Sequence, residues 1–333
     1  MALCAGLAHA RAGRLGRGRP RPRRRAERPR HRPTRRRPPR CGPDSEVASR
    51  GCAIGKPDLG VMRVHPLVEQ VVDTYLGLVD AEVAGLVEGL YLEGSAVLGD
   101  FHPATSDIDF VAVTTAQPDR AMLAALERVH TYLWARWRRP FFDGIYLTWN
   151  DLARGPAHAG PVPYAHEGRF HAETNGEHNP VTWHTLARHG RACRGPVPAR
   201  TDIWAVPEDL ARWTDHNLDS YWRPWLQWAT PLWTRFGRFA LTSPATVWAV
   251  TGVSRLHYTL ATGDITSKEG AGRYALQAFP PAWHRIVNEA LRVRRREATR
   301  SLYRTPLSRR QDLLAFGDMV ITDAHRIYAD RPR

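Results

Sequence analysis

Lysine is almost missing from this chain of 333 residues, standing only at positions 56 and 268. Its basic charge is carried by arginine, as a GC-rich coding sequence produces. Cysteine is scarce too. Cys4, Cys41 and Cys52 fall in the first 61 residues and only Cys193 lies beyond them, which excludes a disulfide framework. No apolar run approaches the length of a membrane span. No apolar stretch of secretory length follows the opening Met-Ala-Leu-Cys-Ala-Gly-Leu-Ala. The body is therefore expected to be cytoplasmic and monomeric, without a membrane partner.

Acidic residues are also few at the start. Residues 1–61 hold 17 Lys and Arg against 4 Asp and Glu, so they carry most of the net charge of +15. The rest of the chain is close to neutral, which speaks against a nucleic-acid partner for the folded body. The Arg/Pro-rich tail has too few apolar residues for a core and is expected to be disordered. It reads as a basic arm for RNA or a membrane surface, as a targeting segment, or most simply as sequence upstream of a start at Met62.

Hydrophobic periodicity organises the remainder. Leu67, Val71, Val72, Tyr75, Leu78, Val79 and Val83 recur at helical spacing. Short strands are expected at 89–92, 107–114 and 141–149, with an amphipathic helix at 119–137 between the last two. Residues 153–206, rich in Gly, Pro and His in their first half, read as a connection. From Pro207 helical patterns dominate: a cap at Ser243-Pro244, a capping box from Thr266 to Glu269, a break at Pro280-Pro281, and helices near 282–300 and 308–327. The expected fold class is α+β: an α/β domain with a small mixed sheet over 62–152, then a helical bundle over 207–333.

Asp107 and Asp109 stand out within this frame. Residues i and i+2 of a strand share a face, about 6.6 Å apart along it. Two carboxylates so placed repel each other and resist burial unless a cation lies between them. Mg²⁺ suits the position, because it takes one or two carboxylates and leaves the rest of its shell to water and phosphate. A pair of such ions about 3.5–4 Å apart can clamp an in-line displacement at phosphorus. Asp143, near the start of the third strand, could be a metal ligand or a base for an attacking hydroxyl. Gly94 allows close backbone approach to a phosphate, and Ser95 adds a hydroxyl donor at a helix start. Taken singly, each residue has a plainer reading: a solvated strand start for Asp107 and Asp109, an edge-strand acid for Asp143. The histidines from His158 to His189 match no standard zinc spacing. The tryptophans at 213, 222, 225, 228 and 233 read as helix packing, with a stacking wall as the alternative.

Gly94-Ser95-Ala-Val-Leu-Gly99 followed by Ser106-Asp107-Ile108-Asp109-Phe110 resembles the signature of the DNA polymerase β-like nucleotidyltransferase superfamily. The stretch from Ser254-Arg255 through Gly263 to Lys268 is similar to the helical domain of aminoglycoside (3'')(9) adenylyltransferases, as is Gly195-Pro196. The resemblance implies an enzyme that moves AMP from ATP to a hydroxyl of a small molecule of the streptomycin or spectinomycin type, with two Mg²⁺ ions. It implies that Gly94, Ser95 and Ser106 serve the nucleotide, that Asp107 and Asp109 hold metal, and that Asp143 stands at the position of the base. Arg255 and Lys268 fall where the helical domain reaches the triphosphate. A cation in a first helical turn, like Lys268, is otherwise unfavourable, although a solvated lysine and a surface-paired Arg255 are the plainer readings. Asp143 departs from the usual Glu. No Asp or Glu occurs from Thr234 to Gly263, where streptomycin-modifying members carry one. Glu167, Glu173, Glu177, Asp202, Asp215 and Asp219 are the acids left to meet a cationic acceptor. Transfer to a protein or RNA hydroxyl, and non-catalytic RNA binding through the tail, are the alternative functions.

Overall fold

The structure, a computed structural model, describes residues 64–174 and 178–331. The basic tail, Met62 and Glu177 lie outside the described residues. The described residues belong to one compact unit. Among them, no helix is long and apolar enough to cross a membrane.

The first half is a six-stranded mixed sheet between two helical layers. Helix α1 (Pro66–Glu82) precedes β1 (Val87–Glu93), and a single 3-10 turn (Gly94–Ala96) follows. Strand β2 (Ile108–Thr114), helix α2 (Arg120–Arg136) and strand β3 (Phe142–Thr148) come next, then the short α3 (Trp149–Arg154). Strand β2 runs antiparallel to β1 and parallel to β3, with α2 supplying the crossover that parallel neighbours require. The β4 (Val162–His166)/β5 (Arg169–Thr174) hairpin extends the sheet beyond β3, and β6 (Arg191–Arg194) extends it beyond β1.

Residues 153–206 are therefore more than a connection: they supply three of the six strands and helix α4 (Pro180–His189). Their strands escape periodicity because Pro163 interrupts β4 at an irregularity in its register, and because they gain burial from pairing rather than from an apolar alternation.

Side-chain alternation divides the sheet's two faces. Leu90, Leu92, Ile108, Phe110, Ala112, Phe142 and Tyr146 pack under α1 and α2. Tyr91, Val111, Val113, Ile145 and Leu147 face Leu152 of α3 and Trp183 and Leu186 of α4. On the first face Tyr75 donates to the Tyr146 hydroxyl at 3.0 Å, which lies 2.8 Å from His130 Nε2, so this buried polar chain is satisfied internally.

The second half is helical: α5 (Pro207–Asn217), a loosely wound π turn (Leu218–Trp222), α6 (Arg223–Ala229), α7 (Arg235–Phe239), α8 (Ser243–Thr262), α9 (Lys268–Ala278), α10 (His284–Arg294) and α11 (Pro306–Ala329). Its core is apolar, with α8 at its centre. Trp222 and Trp225 are buried against Trp248, with ring centroids 4.6 and 4.8 Å from it, whereas Trp233 is 81% exposed. The helix-packing reading of the tryptophans thus holds for the first pair.

Two caps differ from expectation by one residue. Thr242, not Ser243, caps α8, accepting from Ala245 N. Ser267, not Thr266, caps α9, accepting from Gly270 N at 3.0 Å. Lys268 is therefore the first residue of its helix. With Ser267 as cap the third helical position is Gly270, so no carboxylate stands there to complete a capping box, and Glu269 pairs with Arg273 and Arg295 instead.

Candidate active site

Register builds the site. Glu93 of β1 pairs with Asp109 of β2, and Asp109 pairs with Asp143 of β3. Residues directly opposite in neighbouring strands share a face. These three acids continue the rows of Tyr91, Val111 and Ile145 one step beyond the apolar layer, on the α4 face. Three carboxylates thus stand side by side across three adjacent strands, at the edge where the 3-10 turn begins.

Gly94 fits that edge for two reasons. Its φ of +61° is a left-handed conformation, and a Cβ there would lie 2.1 Å from Asp109 Oδ2. Ser95, next in the turn, donates to the Asp107 carbonyl at 3.4 Å and so couples the turn to the Asp-x-Asp strand. Ser106 is buried. Its hydroxyl accepts from His102 N at 2.9 Å and donates to the Asp100 carbonyl at 3.4 Å, which directs it into the loop rather than toward a ligand.

The acids differ in their surroundings. Asp107 receives Arg139 Nη1 at 2.9 Å. Burial pushes its carboxyl above the usual range and the charge of Asp143 pushes the same way, against the pull of Arg139 and Lys268. Asp143 is buried and held at the tip of the β4/β5 hairpin. Glu167 N, at a φ of +49°, donates to its two oxygens at 3.0 and 3.1 Å, and His166 Nδ1 lies 3.4 Å from Oδ2.

Across from the acids, the helical half presents cations. Burial lowers the ammonium pKa of Lys268, with Arg255 and Arg294 adding to the shift and Asp109 and Asp107 opposing it. Lys268 is thus within electrostatic reach of two guanidinium groups and two carboxylates. Arg255 on α8 donates from Nε to the Thr266 carbonyl at 3.1 Å, just before α9. The site thus brings together Gly94, Ser95, Asp107, Asp109, Asp143, Arg255 and Lys268, residues spread over 175 positions of the sequence.

Glu93, Arg139, His166 and Glu167 belong to the same site, and no motif marks them as part of it. Glu93 had one signal, its place directly before Gly94. The other three depend on how β3 and the hairpin pair. Of the other acids considered for an acceptor, Asp215 and Asp219 lie elsewhere, both against His325.

Among the described residues, no three His, Cys, Asp or Glu side chains form a ready-made metal cage. The donor chemistry nonetheless suits Mg²⁺: the available ligands are carboxylate oxygens, and Asp109 and Asp143 stand directly opposite each other in adjacent strands, where a cation between them relieves their repulsion.

Residues 238–311 match the family described as aminoglycoside adenylyltransferase, C-terminal domain. This similarity lies within the helical half. The fold of the whole is similar to that of spectinomycin adenyltransferase AAD(9) from Enterococcus faecialis, solved with ATP and spectinomycin. The TM-score is 0.56 at 12% identity, covering 76% of this chain and 98% of that one. No curated protein matches by sequence. The α+β organisation read from sequence, a sheet domain followed by a helical domain, is that of this structural relative.

Proposed function

We propose that this chain transfers AMP from ATP to a hydroxyl group of a small molecule, with an aminocyclitol antibiotic as the first acceptor class to test. The observation that carries this reading is the row Glu93, Asp109 and Asp143 beside Gly94-Ser95, faced by Lys268.

The reaction is a single displacement. The acceptor oxygen attacks the α-phosphorus, the bond from that phosphorus to the bridging oxygen breaks, and pyrophosphate leaves. Asp143 takes the acceptor proton. The hairpin fixes its carboxylate from one side with the Glu167 N–H, so its orientation is set before substrate arrives. Asp107 and Asp109 are the residues to hold Mg²⁺, which when bound supplies neutralisation of the phosphate charge. Lys268 and Arg255 meet the β- and γ-phosphates, and Ser95 a phosphate oxygen. ATP as donor is supported by the ligand of the structural relative.

The test is transfer of label from α-labelled ATP to spectinomycin, streptomycin and a panel of other alcohols, with protein and tRNA as further acceptors. Labelled product with one small acceptor, abolished in Asp107→Ala, is the expected result. No labelled product from any acceptor, with Asp107→Ala indistinguishable from wild type, would overturn the enzymatic reading. Labelling of protein or RNA alone would replace the acceptor class.

A further inference from the structure

Asp100 lies in the loop between the Gly94-Ser95 turn and the Asp-x-Asp strand, and no motif accounts for it. It is 4% exposed, and its partners come from three places. Arg294, the last residue of α10 and itself buried, meets Oδ2 at 2.5 Å and also donates to the Asp100 carbonyl at 3.1 Å. Glu269 N, in the first turn of α9, donates to Oδ2 at 3.1 Å. His102 Nε2 lies 3.1 Å from Oδ1.

The backbone of the same residue ties the motif ends together. Asp100 N donates to the Ser95 carbonyl at 3.1 Å, and the Asp100 carbonyl accepts from the Ser106 hydroxyl, one residue before Asp107. One residue therefore touches the glycine turn, the entrance to the acidic strand and the helix that begins with Lys268. Arg296, donating to the Ala104 carbonyl at 3.3 Å, adds a peripheral contact between the same loop and the end of α10.

These contacts have a direction. The backbone N–H groups at a helix start attract an anion, and at α9 an anion is already supplied from within the chain. Burial alone would raise the Asp100 carboxyl, but Arg294 and the Glu269 N–H hold it below its usual range, so it remains a carboxylate. With the helix start satisfied by Asp100, the adjacent Lys268 side chain is left to address Asp107, Asp109 and a polyphosphate. A buried ion pair is poor evidence of stabilisation but can fix one arrangement against others. The arrangement fixed here is the position of a phosphate-binding cation relative to two metal-binding carboxylates.

We propose that Asp100, clamped by Arg294, is a positioning residue for ATP: it sets the first turn of α9 so that Lys268 reaches the polyphosphate. The inference rests on the proposed nucleotide role of Lys268, and a double-mutant cycle separates the two. ATP affinity is measured by calorimetry with Mg²⁺ on wild type, Asp100→Asn, Lys268→Ala and the double variant, each with its melting temperature. Asp100→Asn is expected to weaken ATP binding about tenfold. Lys268→Ala should then cost much less in the Asp100→Asn background than in wild type, because the lysine is already misplaced. If Asp100→Asn does not fold, Asp100→Glu, which keeps the charge and displaces it by one methylene, takes its place in the cycle.

ATP affinity within twofold of wild type in the folded Asp100 variant, with Lys268→Ala still impaired, overturns the positioning role and leaves the nucleotide site intact. Fully additive losses also overturn it, since Asp100 would then act without Lys268. If Lys268→Ala binds ATP normally, the nucleotide reading of that residue fails and takes the inference with it.

Discussion

Two carboxylates in the two halves of this protein, Glu289 fully buried and Asp107 partly buried, shift their pKa values in opposite directions, and the contrast separates structure from site. Glu289 of α10 is fully buried in the helical half. Burial alone would raise its pKa, but Arg292 bonds both oxygens at 2.9 Å, Leu302 N and the Ser301 hydroxyl add bonds, and the value falls to about 2. Asp107 at the sheet edge is pushed up instead, by burial and by Asp143. A carboxylate that serves the fold is surrounded by the donors it needs. Asp107 is held beside another acid at a cost, and a ligand cation is the natural relief.

Breaking each side of this contrast should have opposite consequences. Asp109→Asn should lower AMP transfer by ~10³-fold, about 4 kcal/mol on the barrier, while the melting temperature stays level or rises because like-charge repulsion is removed. Enzyme assay and calorimetric melting on the same preparation check this. Glu289→Ala should do the reverse, losing about 3 kcal/mol of stability because Arg292 is left without its buried partner. Transfer per folded molecule should be retained, as denaturant titration and active-site-normalised rates would show.

Acid sharpens the comparison further. The folded pKa of Glu289 lies below its unfolded value, so its stabilisation is complete above about pH 4.5 and is lost as pH falls toward about 2. His130 is buried neutral with a pKa lowered to about 3 by desolvation, so the unfolded chain binds a proton first and stability declines from about pH 6.5 downward. The raised pKa of Asp107 has the opposite sign: its ionisation destabilises the fold, and acidification relieves that. Urea midpoints measured from pH 7 to pH 3.5 should therefore fall for wild type and fall less for Glu289→Gln. In Asp107→Asn the fall should be at least as steep as in wild type. The smallest effect belongs to exposed pairs: Arg128→Ala, which breaks a bond to Glu82, should change stability by less than about 1 kcal/mol in the same titration.

What could be read in the sequence follows the range over which each signal acts. Asp107 and Asp109 are two residues apart, so strand geometry alone puts them on one face. Gly94-Ser95 is local as well. Lys268 is marked by its family motif and by its electrostatic oddity at a helix start. Glu93 and Asp143 become neighbours of Asp109 only through strand register, which single-strand patterns do not carry. The hairpin that holds Asp143 was invisible because Pro163 and Gly168 break the alternation that marks a strand. Asp100 and Arg294 are 194 positions apart, and no local pattern announces a pair formed between the sheet half and the helical half.

The most direct test of the central claim is the dependence of ATP binding on Mg²⁺, measured by calorimetry in wild type and in Asp107→Asn/Asp109→Asn. If the paired carboxylates are the metal-dependent nucleotide site, Mg²⁺ will tighten ATP binding in wild type and lose that effect in the double variant. ATP binding with the same Mg²⁺ dependence in both proteins, or with none in either, would contradict the assignment.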